Sequence, residues 1–243
     1  MDKSIEVLQY MAQLISKAIE DYKNLRYEDM EFEHLRGLTN LVYKVSPKDP
    51  KSKAKPVICR KFNLNHPFIN RDHERKLFKE LGEKGCGPKC LYDDGQHRIE
   101  EFIDSRVILG QEYNKKPQYI KMVAREIARF HKIKVDWLPK ARYLPEDLSN
   151  QTKMKTFLEK CDKSEVFTEE EFQKVQALKK VASEEEREFL TKMIPNDDFV
   201  LSHNDLSNGN ILVTPDEKAV VLVDYEYAGI NFRGFDLGYI FHQ

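Results

Sequence analysis

The chain has 243 residues, and its 40 Lys and Arg oppose 41 Asp and Glu for a net charge of −1. That balance gives no basis for nucleic acid or an anionic membrane as the main partner. No apolar run approaches the roughly 20 residues a membrane span needs, so stable membrane insertion is not expected. The length suffices for one large domain or two lobes, each with an apolar core.

In chain order, Ile5, Leu8, Met11, Ala12, Ile15 and Ile19 recur at helical spacing, and this N-terminus has no signal-peptide pattern. Residues 30–35, 39–45 and 57–62 read as short extended segments, and the loop SPKDPKSKAK at 46–55 has the chemistry of a hairpin tip. A helix is predicted over 70–81, ending in a turn with Gly82, Gly85 and Gly87. Two more strands are predicted at 91–92 and 98–103, around Asp93-Asp94-Gly95. From about Lys115 the texture becomes helical, with periodicity at 119–131 and a long charged stretch at 168–193. These elements predict an α+β fold: an N-terminal lobe (1–104) with an antiparallel sheet and one main helix, then a mostly helical C-terminal lobe (105–243), with a cleft between them. Cys59, Cys86, Cys90 and Cys161 form no C-x-x-C pair and lack His partners at metal-site spacing. Reduced thiols in a cytoplasmic protein are the expectation.

The most informative stretch runs from Leu201 to Phe235. It holds His203, Asp205 and Asn210 in the spacing H-x-D-x-x-x-x-N, and then an apolar strand, AVVLV, that ends at Asp224. Phosphoryl transfer needs such a set, in which one carboxylate accepts the proton of the attacking hydroxyl. An amide oxygen and a second carboxylate hold the magnesium on the nucleotide phosphates. Asp205 alone is more simply a turn-capping Asp; with Asn210 and Asp224 in place the catalytic reading prevails. Asn210 and Asp224 make an oxygen-rich site suited to magnesium. His203 fits two roles, a general base or a brace for the loop through its ring nitrogens, and the second is preferred.

Upstream, Arg60 lies near the end of a predicted strand and Glu74 on the following helix. Such a pair either positions nucleotide phosphates or is a plain surface ion pair. Lys61, next along the strand, is expected to point to the other face. The loop LRGLTN, with Gly37, Thr39 and Asn40, could approach phosphates through backbone N–H groups, although it lacks the G-x-G-x-x-G pattern. In RIEEFI, Glu101, Phe102 and Ile103 leave the small lobe where a nucleotide base would stack, or else belong to a plain connecting strand.

With these residues in view, the chain resembles the choline/ethanolamine kinase family, part of the eukaryotic-kinase-like group that includes aminoglycoside phosphotransferases. The likeness rests on RGLTN, NRDHERKLFKELGEKGCGPKCLY, RIEEFI, HNDLSNGNILV and VDYEYAGINFRGFDLG. It implies a bilobal protein-kinase-like fold using ATP and Mg2+, with Asp205 as catalytic base and Asn210 and Asp224 as magnesium ligands. Arg60 would take the place of the nucleotide-phosphate lysine with Glu74 as its partner. Glu226 and Tyr227 would border the acceptor pocket, where an ammonium group favours aromatic faces and carboxylates. Asn231, Arg233 and Asp236 would brace the motif. The resemblance also implies a homodimer.

The family pattern continues beyond this point with aromatic helices and an acidic residue where this chain has Gln243, and Trp137 is the only tryptophan. The C-terminal lobe is therefore expected to be incomplete, or part of the ammonium cage absent. The expected reaction is phosphorylation of choline or ethanolamine for phospholipid synthesis. The rival readings are an aminoglycoside-type kinase and an inactive nucleotide-binding scaffold.

Overall fold

Side-chain alternation along two short strands organises this protein. The computed structural model describes residues 3–35, 37, 39–64, 66, 69–138, 168–181 and 199–241. The chain divides into two units: Met1–Val123 with Asn208–Tyr227, and Ala124–Ser207 with Ala228–Gln243.

The first unit contains β1 (Met30–Leu35), β2 (Leu41–Pro47), β3 (Val57–Lys61), β4 (Cys90–Asp93) and β5 (His97–Glu101). They form an antiparallel sheet in the order β1-β2-β3-β5-β4. Val57, Cys59 and Ile99 point to one face, where with Val45 they pack on Met11, Ala12, Leu14 and Ile15 of α1 (Lys3–Ala18). Each Val, Leu, Ile or Met among them, once buried, contributes roughly 1.5–3 kcal/mol. Tyr22 seals this core: its hydroxyl donates to Val45 O at 3.1 Å and Lys55 O at 2.9 Å, and burial pushes its pKa up to about 12. Lys61 also turns to the α1 side, as its spacing predicts, and lines a cavity of about 450 Å³ with Glu6, Tyr10 and His97.

Arg60, Arg98 and Glu100 occupy the opposite face, beneath α2 (Arg71–Glu83). Strand β5 is therefore buried at four of its five positions, because both of its faces are covered. Helix α2 starts where the Asn70 side chain accepts from His73 N at 3.1 Å, a polar N-cap. It buries Leu77, Phe78 and Leu81.

After α2 the chain turns through Gly87, whose φ of +120° is a region L-residues avoid. A Cβ there would collide with the ring of Tyr225, which is 1 % exposed. Gly87→Ala should therefore destabilise by at least about 2 kcal/mol from backbone and packing strain together. The melting temperature should fall by at least about 4 °C in a thermal unfolding experiment.

Residues 208–227, which the sequence texture assigns to the helical part, belong to the first unit. Their strands β8 (Ile211–Val213) and β9 (Val220–Leu222) form a hairpin that pairs with β6 (Arg106–Val107) in a second sheet. The second unit pairs β7 (Phe199–Ser202) with β10 (Gly229–Phe232), followed by a helix at Arg233–Phe241. The periodicity at 119–131 is the helix Gln118–Phe130. The charged stretch at 168–193 is helical at Glu169–Val181; residues 182–193 and Cys161 lie outside the described residues. Cys59 and Cys90 are free thiols, Cys86 Sγ lies 3.7 Å from Lys84 O, and burial pushes Cys59 up to about 12. No helix among the described residues is long and apolar enough to cross a membrane.

Candidate active site

The β8–β9 hairpin places the two expected metal ligands at its open end. Ile211 faces Leu222 in the ladder, and Val223 N donates to Asn210 O at 3.0 Å. Asn210 precedes one strand and Asp224 follows the other, so main-chain hydrogen bonding brings them together. Asp224 has φ +67°, a left-handed conformation that Asp tolerates better than most residues. The Tyr225 hydroxyl fixes the next residue by donating to Cys86 O at 2.8 Å and to Leu222 O.

A chain of paired charges begins at the partly exposed Asp224 and runs inward. Arg60 Nη1 lies 3.4 Å from Asp224 Oδ1, and Arg60 Nε donates to Glu100 Oε1 at 2.9 Å. Arg98, directly opposite Arg60 in the β3–β5 ladder, donates from Nε to the same Glu100 oxygen at 2.9 Å. Its Nη1 then reaches Glu74 Oε1 at 2.7 Å. Arg71 Nη1 lies 3.6 Å from Glu74 Oε2 and 3.3 Å from Glu226 Oε2. Four carboxylates thus alternate with three guanidiniums. Arg98 is 1 % exposed and also stacks on Phe78, with Cζ 3.6 Å from the ring centroid.

The expected Arg60–Glu74 pairing is not what the structure shows. Glu74 bonds Arg98 and pairs with Arg71, while Arg60 is forked between Glu100 and Asp224. The reason is geometric: Arg98, directly opposite Arg60 in the β3–β5 ladder, takes Glu74, while the planar guanidinium fork of Arg60 reaches Glu100 and Asp224. Burial alone would make Arg60 easier to deprotonate, but Glu100, Asp224 and Glu74 outweigh it and raise its pKa. Burial pushes Glu100 up, and Arg60 with Arg98 more than reverses this, so its carboxyl sits below the usual value. Arg71, Arg98 and Glu100 escape a motif search. Their signal is the R-x-E alternation in β5, which puts Arg98 and Glu100 on one face beside Arg60.

The remaining residues expected to contact nucleotide lie in the loop before β2 and at the end of β5 and just beyond it. A Cβ on Gly37 would sit 2.9 Å from Asn40 O, so the loop is too tight there for a side chain. Thr39 and Asn40 direct their side chains to Glu226: Thr39 Oγ1 donates at 2.9 and 3.0 Å, and Asn40 Nδ2 at 3.1 Å. Burial and then Asp224 raise the Glu226 pKa, against the lowering effect of Thr39, Arg71 and Arg60. Glu101 ends β5, its N–H donating to Lys89 O at 2.9 Å. Phe102 lies under Lys44 Nζ, 4.6 Å from the ring centroid, and Ile103 O accepts from Ser105 Oγ at 2.9 Å. Tyr227 is half-buried.

The second unit carries Asp205 on a braced loop. Asp236, 0 % exposed, accepts from His203 N and Asn204 N, each at 2.9 Å, and His131 Nε2 lies 2.8 Å away. Burial pushes Asp236 up, but the His131 contact and the two N–H groups prevail and hold its pKa below the ordinary value. Asn204 takes a left-handed φ of +65° and accepts from Asn231 Nδ2 at 2.7 Å. Asn231 and Asp236 form the bracing network the sequence suggests, whereas Arg233 is exposed. The His203 ring is fully buried, 5.9 Å from Phe130 between centroids, a packing that favours the brace over the general base. Tyr239 Oη donates to Asp205 Oδ1 at 3.0 Å, a contact no motif reveals.

The donor set fits a hard dication. Among the described residues, no group of three His, Cys, Asp or Glu could hold a metal without further ligands. One carboxylate and one amide oxygen suit magnesium, which retains waters and takes substrate phosphates as ligands.

The fold is shared with solved kinases of small molecules. Choline kinase from Cryptosporidium parvum Iowa II superposes with a TM-score of 0.70 at 23% identity, covering 94% of this chain and 66% of that one. Plasmodium vivax ethanolamine kinase superposes with a TM-score of 0.69, also at 23% identity, covering 98% and 72%. The chain belongs to the choline/ethanolamine kinase family, whose sequence profile matches residues 33–243. A probable ethanolamine kinase of Arabidopsis thaliana is 32% identical over 209 residues, covering 85% of this chain and 54% of the relative. The chain spans 54% to 64% of the length of that relative and two further curated ones.

Proposed function

We propose that this protein transfers the γ-phosphoryl group of ATP to the hydroxyl of ethanolamine or choline, giving a phosphobase for phospholipid synthesis. The observation that carries this reading is the pairing of Asn210 and Asp224 at one hairpin end, with Arg60 already directed at Asp224. In this reading Asn210 and Asp224 hold magnesium, which neutralises charge on the phosphates when bound. Arg60 faces the nucleotide phosphates from β3, its direction set by Glu100. Asp205 accepts the hydroxyl proton, and Tyr239 holds one of its oxygens in place. The rest is positioning, because a loose phosphoryl transition state asks mainly for alignment and charge balance. The free thiols of Cys59 and Cys90 support a cytoplasmic setting.

The test is steady-state phosphorylation of ethanolamine, choline and an aminoglycoside side by side, with and without magnesium. Magnesium-dependent turnover of either amino alcohol is expected. Turnover of the aminoglycoside alone would move the acceptor to another class, and ATP binding without any transfer would leave a nucleotide-binding scaffold.

A further inference from the structure

Glu226 is where the geometry departs furthest from what its place in the sequence suggests. An acidic residue two positions after a metal ligand is a natural counter-charge for a cationic acceptor. Yet this carboxylate is 6 % exposed and committed on both oxygens. Oε1 accepts from Thr39 Oγ1, while Oε2 accepts from Thr39 Oγ1 and Asn40 Nδ2 and faces Arg71 Nη1 at 3.3 Å. The other end of the Asn40 amide is equally constrained. Its Oδ1 accepts from Arg71 Nη2 at 2.9 Å and from Asn63 N at 3.2 Å. Thr39, Asn40, Arg71 and Glu226 therefore close a ring that fixes the loop after Gly37.

We propose that Glu226 is a positioning residue for the nucleotide loop, and not a contact of the amino alcohol. The inference rests on the kinase reading and refines the role of one residue within it. Its logic is that an ammonium ligand needs a carboxylate it can reach, and this one is buried and already neutralised by a guanidinium. With Thr39 and Asn40 side chains turned to Glu226, phosphate oxygens would meet the loop through its main chain, which the bare Cα of Gly37 lets come close. Tyr225, fully buried beside Asp224, makes the three-residue segment Asp224–Glu226 a rigid link between metal ligand and loop.

The test combines calorimetric titration of MgADP with separate KM values for ATP and for the amino alcohol, in Glu226→Gln, Thr39→Val and the double variant. Glu226→Gln should weaken MgADP roughly tenfold, as loss of a charge-assisted hydrogen bond implies. Thr39→Val should weaken it several-fold, and the double variant should fall short of the product of the two, because they share one contact. The KM for the amino alcohol should move less than about twofold. A raised amino-alcohol KM with unchanged MgADP affinity would overturn the proposal, as would unchanged MgADP affinity in both single variants. Should Glu226→Gln fail to fold, Thr39→Val decides by the same criteria. The titration needs no acceptor, so a wild-type protein inactive on both amino alcohols would refute the substrate reading while leaving this one to its own result.

Discussion

Asp205→Asn is expected to lower turnover a hundredfold to ten-thousandfold, the usual range for loss of a general base, while MgADP affinity changes by less than about threefold. The carboxamide keeps the volume and an oxygen for the Tyr239 hydroxyl, which now donates to Asp205 Oδ1 at 3.0 Å. What it loses is the capacity to accept a proton from the substrate. The loop itself should hold its shape, because its brace runs from Asp236 to the backbone N–H groups of His203 and Asn204. Single-turnover kinetics beside nucleotide titration separate the two effects. Near-normal turnover in the variant would remove Asp205 from the base role.

The second large effect concerns stability. Arg98→Met should destabilise the protein by about 3–5 kcal/mol, the penalty for leaving buried partners of an ion pair uncompensated. Arg98 neutralises Glu74 at 2.7 Å and Glu100 at 2.9 Å, and those side chains are 2 % and 5 % exposed. Met fills much of the same volume against Phe78, so the loss is mainly electrostatic. Adding Glu74→Gln should recover part of the stability by removing one of the stranded charges. Thermal unfolding of the single and double variants measures this, and an Arg98→Met protein melting within about 2 °C of wild type would show the ion chain to be dispensable.

These expectations differ in how readily the sequence discloses them. The hairpin ligands and the loop of Asp205 are legible because their geometry is local, with a few residues of spacing and one apolar strand setting it. The sheet is legible too: the expected strands at 30–35 and 57–62 are β1 and β3, within a residue at one end. Less accessible was the start of β2, expected at 39 and found at Leu41, because Thr39 and Asn40 are drawn to Glu226. The partners of Arg60 and Glu74 could not be read, since they depend on cross-strand register and on which carboxylate shares a face. Arg98 does not stand out in the sequence because a buried arginine runs against the usual distribution of charge and is intelligible only with both neighbours in place. Tyr239 follows the last of the motifs that carry the family likeness, so no motif includes it.

Strands β3 and β5 carry one more implication, visible in the parity of their residue numbers. Odd positions (Val57, Cys59 and Ile99) border a greasy layer, where tolerance of substitution should follow size and shape. Even positions (Arg60, Arg98 and Glu100) border a saline one, where tolerance should follow charge and hydrogen-bonding geometry. Two ribbons one residue thick thus separate two regimes of mutational constraint, and neighbours in the chain obey different rules.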